Sequence, residues 1–231
     1  MSVSFHVVSM GTLSCNRLWG EQQAKRVAHA TTTLIRCGST TILVDPSLPA
    51  EMLAHRLDER TGMTLDQIDV VFLTTFRPVH RRGLPAFPRA TWLMHAPEIE
   101  AVRLHLEETR RRIGEEEDGN DREDDDSLRL IRDEESLLTR IEAAGERLTP
   151  SVHLYPTAGI SPGASGLLLA APSRTIVIAG DAVVTREYFE AGQVWEHVED
   201  VPQAMNSFED ILEVADEVVP GHDNAFAVVR H

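Results

Sequence analysis

Lysine is almost missing from this chain. Of the 22 basic residues only Lys25 is a lysine, and 37 acidic residues leave a formal charge of −15. A phosphate backbone needs a basic surface, so nucleic acid is not expected as a partner. No apolar run approaches the ~20 residues that span a bilayer, so no membrane partner is expected either. Cysteine is scarce: Cys15 and Cys37 lack the spacing of a disulfide framework and are expected as free thiols. The first residues, MSVSFHVVSMGTLS, have no basic stretch followed by a long apolar one. No secretory signal is therefore expected, and the expected location is cytoplasmic. Ser161 has no G-x-S-x-G elbow around it, which argues against a serine hydrolase.

What is present fits a globular protein. With 231 residues, 42% apolar and 26% charged, the chain can bury one sizeable core, and a single domain over residues 1–231 is expected. The charge is uneven. Between Glu107 and Asp126 eleven acidic residues face four arginines, a net −7, which reads as a solvated, mobile excursion at about 107–126. Strand-like segments fall at 5–10, 31–37, 40–46, 69–75 and 90–95, and again at 152–156, 166–171, 174–180, 217–220 and 225–230. Helices are expected over 49–60, after Pro97, over 127–146 and over about 203–215. Two batches of strands, each followed by helices, imply an α/β layered fold: two sheets packed together with helices outside.

Polar residues gather just beyond the strand ends, where a rigid strand can present a loop. They are Asp45, Thr75 to His80, Thr157 to Ser161, Asp181, and His222 with Asp223. In chain order, TLIRCGSTTILVDPSLP, FLTTFRPVHRRGL, PTAGISPGASGLLL, IAGDAV and VVPGHDN resemble the metallo-β-lactamase superfamily. The resemblance implies a four-layer αββα sandwich of two mixed β-sheets with outer helices. It also implies a pattern, Thr then His-x-His-x-Asp-His, that this chain follows only in part. Thr74, His80 and Gly83 match. Thr75 and Arg77 stand in place of the first two histidines, Val79 in place of the aspartate, and Ile160 in place of a histidine in the later loop. Asp181 and His222 keep the family's Gly-Asp and Pro-Gly-His elements.

Of the two ligand groups such a family uses, the one at Thr75, Arg77 and Ile160 is lost. Isoleucine cannot ligate, and arginine brings a positive charge where a cation would sit. His80, Asp181 and His222 remain, and two histidines with a carboxylate can hold one divalent metal: zinc, iron or manganese. A buried guanidinium at Arg77 needs an anionic partner, and Asp181 is the candidate. Asp45 is expected to support the ligand loop by hydrogen bonding. Two functions stay open. One is a non-catalytic or strongly divergent protein without a cofactor, whose rebuilt pocket takes a small anionic ligand. There Arg77 would bind the anion, helped by the hydroxyls of Thr75, Thr157 and Ser161 and by Arg81 or Arg82. The alternative is a mononuclear metal-dependent hydrolase of a small ester, thioester or lactone. A homodimer is also left open.

Overall fold

The computed structural model describes residues 2–115 and 121–229. The first half contains strands β1 (Val3–Ser9), β2 (Thr32–Cys37) and β3 (Thr40–Val44), helix α1 (Ala50–Thr61), strand β4 (Val70–Leu73), the one-turn helix α2 (Pro78–Arg81) and strand β5 (Thr91–Met94). Two long helices follow, α3 (Ala96–Glu115) and α4 (Asp121–Thr139), then the short strands β6 (Glu142–Ala143) and β7 (Arg147–Thr149). The second half contains β8 (Val152–Pro156), β9 (Ser165–Ala171), β10 (Arg174–Gly180), helices α5 (Arg186–Glu190) and α6 (Val201–Val214), and strands β11 (Glu217–Pro220) and β12 (Phe226–Ala227).

The strands make two six-stranded sheets, β1-β2-β3-β4-β5-β6 and β12-β11-β10-β9-β8-β7. Each is mixed: β3 to β6 run parallel in the first and β10 with β11 in the second, while the remaining pairs are antiparallel. The layering follows from the two-residue period of a strand. On β2, Leu34 joins the core under α1, α3 and α4, while its neighbour Ile35 faces the space between the sheets. On β3 the pair is Leu43 and Ile42, and on β4 it is Val71 and Phe72. In the second sheet Ile176 and Ile178 of β10 point to the first sheet, and Val177 points to Phe208 and Ile211 on α6. Sheets with two apolar faces need a cover on each side, which gives four layers: helix, sheet, sheet, helix.

The expected strands are present, with shifted ends. Of the segment expected at 225–230, Phe226–Ala227 form a strand among the described residues, and residue 230 lies outside them. The helix expected over 127–146 stops at Thr139; β6 falls within the remainder and β7 begins just beyond it. The acidic excursion differs more. Its described part is helical: α3 runs on to Glu115 and α4 begins at Asp121, with residues 116–120 lying outside the described residues. Composition suggested a solvated loop, but α3 and α4 bury Ile99, Leu106, Ile131 and Leu138 on one core, and Arg110 reaches Glu135 at 3.2 Å. Glu107 and Glu108 on α3 and Asp126 on α4 are exposed, where charge is tolerated. Among the described residues, no helix is long and apolar enough to cross a membrane. Cys15 and Cys37 are free thiols.

Candidate functional site

Parallel pairing brings the carboxyl ends of several strands to one edge of the sandwich. Asp45 follows β3, Thr74 to His80 follow β4, Asp181 follows β10 and His222 follows β11. The two sheets meet closely there: Ser165 N–H donates to Thr74 O at 3.0 Å, and Thr31 N–H donates to Gly221 O at 2.6 Å. Gly180 has φ +54°, and a Cβ on it would lie 2.8 Å from Thr74 Cβ, so only glycine suits this approach. After β4, Pro78 holds Arg77 extended (φ −57°, ψ 137°) and opens α2 at a position where its missing N–H costs nothing. One turn of helix then places His80 and Arg81 inside the protein.

His80 is fully buried and held from both ring nitrogens. Asp45 Oδ2 accepts from its Nδ1 at 2.9 Å, and its Nε2 faces Asp181 Oδ2 at 3.2 Å. Asp45 is itself fixed by Thr74, which donates its N–H at 2.9 Å and its hydroxyl at 2.7 Å. Its backbone is left-handed, φ 50°, a conformation that aspartate tolerates better than most residues. Burial alone would lower the His80 pKa. The Asp181 and Asp45 charges outweigh that and push it up to about 10. Burial likewise works to raise the Asp181 carboxyl, and the His80 charge, with the His80 and His222 contacts, holds it well below the usual carboxylate range.

His222 stands on the other side of Asp181. Its Nδ1 donates to Thr12 O at 3.1 Å and to His29 O at 2.9 Å, so that nitrogen carries a proton. Its Nε2 lies 3.2 Å from Asp181 Oδ1 without hydrogen-bond geometry, and both atoms are buried with no hydrogen-bond partner. In a neutral ring these are two acceptors face to face, an arrangement that calls for a cation. One ligating atom each from His80, Asp181 and His222 lies within 4.8 Å of the others. Both imidazoles have their far nitrogen fixed by an oxygen, as metal-binding histidines do. The three residues expected as surviving ligands are thus brought together and fit one divalent cation.

The neighbouring position does not fit a metal. Ile160 is buried and apolar. The Thr75 hydroxyl donates to Glu98 Oε1 at 2.8 Å. Arg77 fills the gap: Nη1 donates to Asp181 Oδ2 at 3.3 Å, and Nη2 donates to Ile160 O at 3.0 Å and to His197 O at 2.9 Å. Its guanidinium lies 5.5 Å from the Trp195 ring centroid, and that ring also sits 5.9 Å from His222. Arg77 and Trp195 therefore roof a cluster in which Asp45 and Asp181 are matched by one guanidinium and one raised-pKa imidazole. The side chains of His80, Asp181 and His222 are at most 1% exposed; that of Arg77 is 25% exposed.

A cleft of ≈ 440 Å³ opens beside Arg77, lined by Phe76, Arg81, Glu98, Val102 and Leu106 among others. The expected anion-binding groups are mostly committed elsewhere. The Ser161 hydroxyl donates to Glu98 Oε2 at 2.7 Å. Arg81 donates to Phe76 O at 2.7 Å and pairs with Glu134, and burial lowers its pKa. Arg82 donates to Ala28 O at 2.9 Å. Thr157 is buried outside the cleft, and its N–H donates to Ala164 O at 2.9 Å. Sequence reasoning missed Glu98 as part of the site. An acidic residue in the first turn of a helix already has a sufficient local explanation in the helix dipole.

Residues 26–222 match the family model for the metallo-beta-lactamase superfamily. No curated protein matches the chain. Among solved structures, the chain is similar to a probable metal-dependent hydrolase from Staphylococcus aureus (15% identity, 97% of this chain and 91% of that one, TM-score 0.69). It is similar also to a quorum-quenching N-acyl homoserine lactone lactonase (19% identity, 96% and 93%, TM-score 0.64). A third is the hydrolase AbOPH of the beta-lactamase superfamily (16% identity, 100% and 92%, TM-score 0.64). At these identities the structures show the shared fold alone.

Proposed function

The chain belongs to the metallo-beta-lactamase superfamily, and from that premise we propose a non-catalytic, strongly divergent member in which fixed protein charges stand where a metal centre would be. The observation that carries this reading is the double engagement of one oxygen. Asp181 Oδ2 meets Arg77 Nη1 at 3.3 Å and His80 Nε2 at 3.2 Å. A buried carboxylate served by a guanidinium and an imidazolium has its charge compensated without a metal. Arg77 opposes a dication electrostatically and, with Trp195, obstructs the approach to the ligating atoms. A small anionic ligand would meet the partly exposed edge of Arg77 from the cleft.

A second reading rests on a different observation, the unpartnered Asp181 Oδ1 and His222 Nε2. One zinc, iron or manganese ion held by His80, Asp181 and His222 would satisfy both atoms and could supply a Lewis acid for hydrolysis of a small ester, thioester or lactone. For that chemistry Arg77 must swing out of contact with Asp181. The two readings separate in a hydrolysis screen of aryl ester, thioester and lactone substrates with Zn²⁺, Mn²⁺ or Fe²⁺ added. The first expects no turnover above that of an H80A/H222A variant. Turnover that the double substitution abolishes establishes the second.

A further inference from the structure

Glu98, three residues into α3, is only 2% exposed, and no ion pair to it occurs among the described residues. Instead it accepts four hydrogen bonds from neutral donors. Oε1 takes the Thr75 hydroxyl at 2.8 Å and Phe76 N–H at 3.1 Å. Oε2 takes the Ser161 hydroxyl at 2.7 Å and Gly163 N–H at 3.2 Å. The first pair belongs to the loop after β4, the second to the turn between β8 and β9. These same two segments hold Arg77. It directly follows Phe76, and its Nη2 donates to Ile160 O, one residue before Ser161. The turn also packs directly on α3, since a Cβ on Gly163 would fall 1.9 Å from Glu98 N.

Four donors converging on one buried carboxylate form a receptor for an oxyanion, here occupied by the protein's own side chain. We propose that Glu98 is a positioning residue: by filling this receptor it cross-links the two loops, keeps Arg77 over Asp181, and so closes the His80–Asp181–His222 cluster to cations. The proposal builds on the charge-replacement reading. Without Glu98 the four donors lose their common acceptor, the loops part, and Arg77 loses the anchor that aims it at Asp181.

The test uses Co²⁺ as probe, read by its visible absorption, on the wild type, E98A, R77A and the corresponding H222A double variants, with formate as a free carboxylate. E98A should bind Co²⁺ about tenfold or more tightly than the wild type, a size usual for coupled sites. H222A should abolish that binding. Formate should refill the receptor in E98A and return its Co²⁺ affinity toward that of the wild type, while leaving R77A unchanged. Equal affinity in E98A and wild type overturns the proposal. So does a gain in E98A that formate does not reverse, or a formate effect of the same size in R77A. If E98A does not fold, E98Q serves: its amide cannot accept all four bonds, so Co²⁺ affinity should again rise, and no rise overturns the proposal. Stoichiometric Co²⁺ binding by the wild type would sink the charge-replacement reading, yet the ratio of E98A to wild type and its reversal by formate would still decide the role of Glu98.

Discussion

Replacing Arg77 with methionine keeps an unbranched stem near Trp195 and removes the positive charge from Asp181. Three donated hydrogen bonds go with it, at 3.3 Å to Asp181, 3.0 Å to Ile160 O and 2.9 Å to His197 O. Leaving a buried charge without its partner costs about 3–5 kcal/mol when nothing else compensates it. Here His80 still faces the same oxygen at 3.2 Å and the Arg77 side chain is 25% exposed. The expected loss is therefore smaller, about 2 kcal/mol. For a chain of this length that lowers the melting temperature by about 4–8 °C. Zn²⁺ should then do for R77M what it cannot do for the wild type. At a free concentration of about 100 times the dissociation constant, binding adds about 2.7 kcal/mol, enough to offset the loss. Calorimetry in chelated buffer, repeated with Zn²⁺, reads both effects. If R77M is as stable as the wild type without metal, or the wild type gains as much from Zn²⁺ as the variant, the charge-replacement reasoning is refuted.

The pH dependence has a defined sign. His80 is raised from 6.5 to about 10, so in the metal-free protein its contribution to stability is complete below pH 6.5 and lost as pH rises through 10. Asp181 is held well below 3.8, so its contribution is present above that pH and lost as pH falls toward the depressed value. The stability gap between wild type and H80Q, from urea unfolding, should therefore shrink from pH 6.5 to 10; a gap that widens over that range contradicts the assignment. D45N should be milder than D45A, because asparagine accepts φ 50° and can still take a bond from Thr74, with a loss of about 1–3 kcal/mol for the weakened network. Equal stabilities of the two variants by urea titration would show that neither the backbone nor the hydrogen bonds matter there. G163A, whose Cβ would sit 1.9 Å from the Glu98 backbone, should cost more than about 4 kcal/mol. G192A meets nothing within 4 Å and pays only for its left-handed φ of +64°, about 1–2 kcal/mol. Melting temperatures of the two variants check the contrast.

Much of the fold was legible because strand and helix periods repeat locally. Leu34 beside Ile35, and Leu43 beside Ile42, already announce a strand buried on both faces. The glycines and acids at strand ends mark where those strands deliver polar groups. The meeting of His80, Asp181 and His222 followed from the family resemblance, and the contact of Arg77 with Asp181 from the need of a buried guanidinium for an anion. What stayed hidden depends on contacts distant in sequence. Glu98 meets Ser161 across 63 positions, and Arg77 meets the His197 carbonyl across 120. No local pattern encodes either. The helices on both flanks of the acidic stretch were legible from their apolar residues, but its charge hid how far they run into it, α3 to Glu115 and α4 from Asp121.

The most direct test is elemental analysis of untagged protein after dialysis against trace Zn²⁺, Mn²⁺ and Fe²⁺ in separate anaerobic samples, with the H80A/H222A variant alongside. Fixed charges in place of a metal centre require far less than one equivalent retained by the wild type, and no difference from the double variant. About one metal per chain, lost in H80A/H222A, would contradict the charge-replacement claim and make His80, Asp181 and His222 a working metal site.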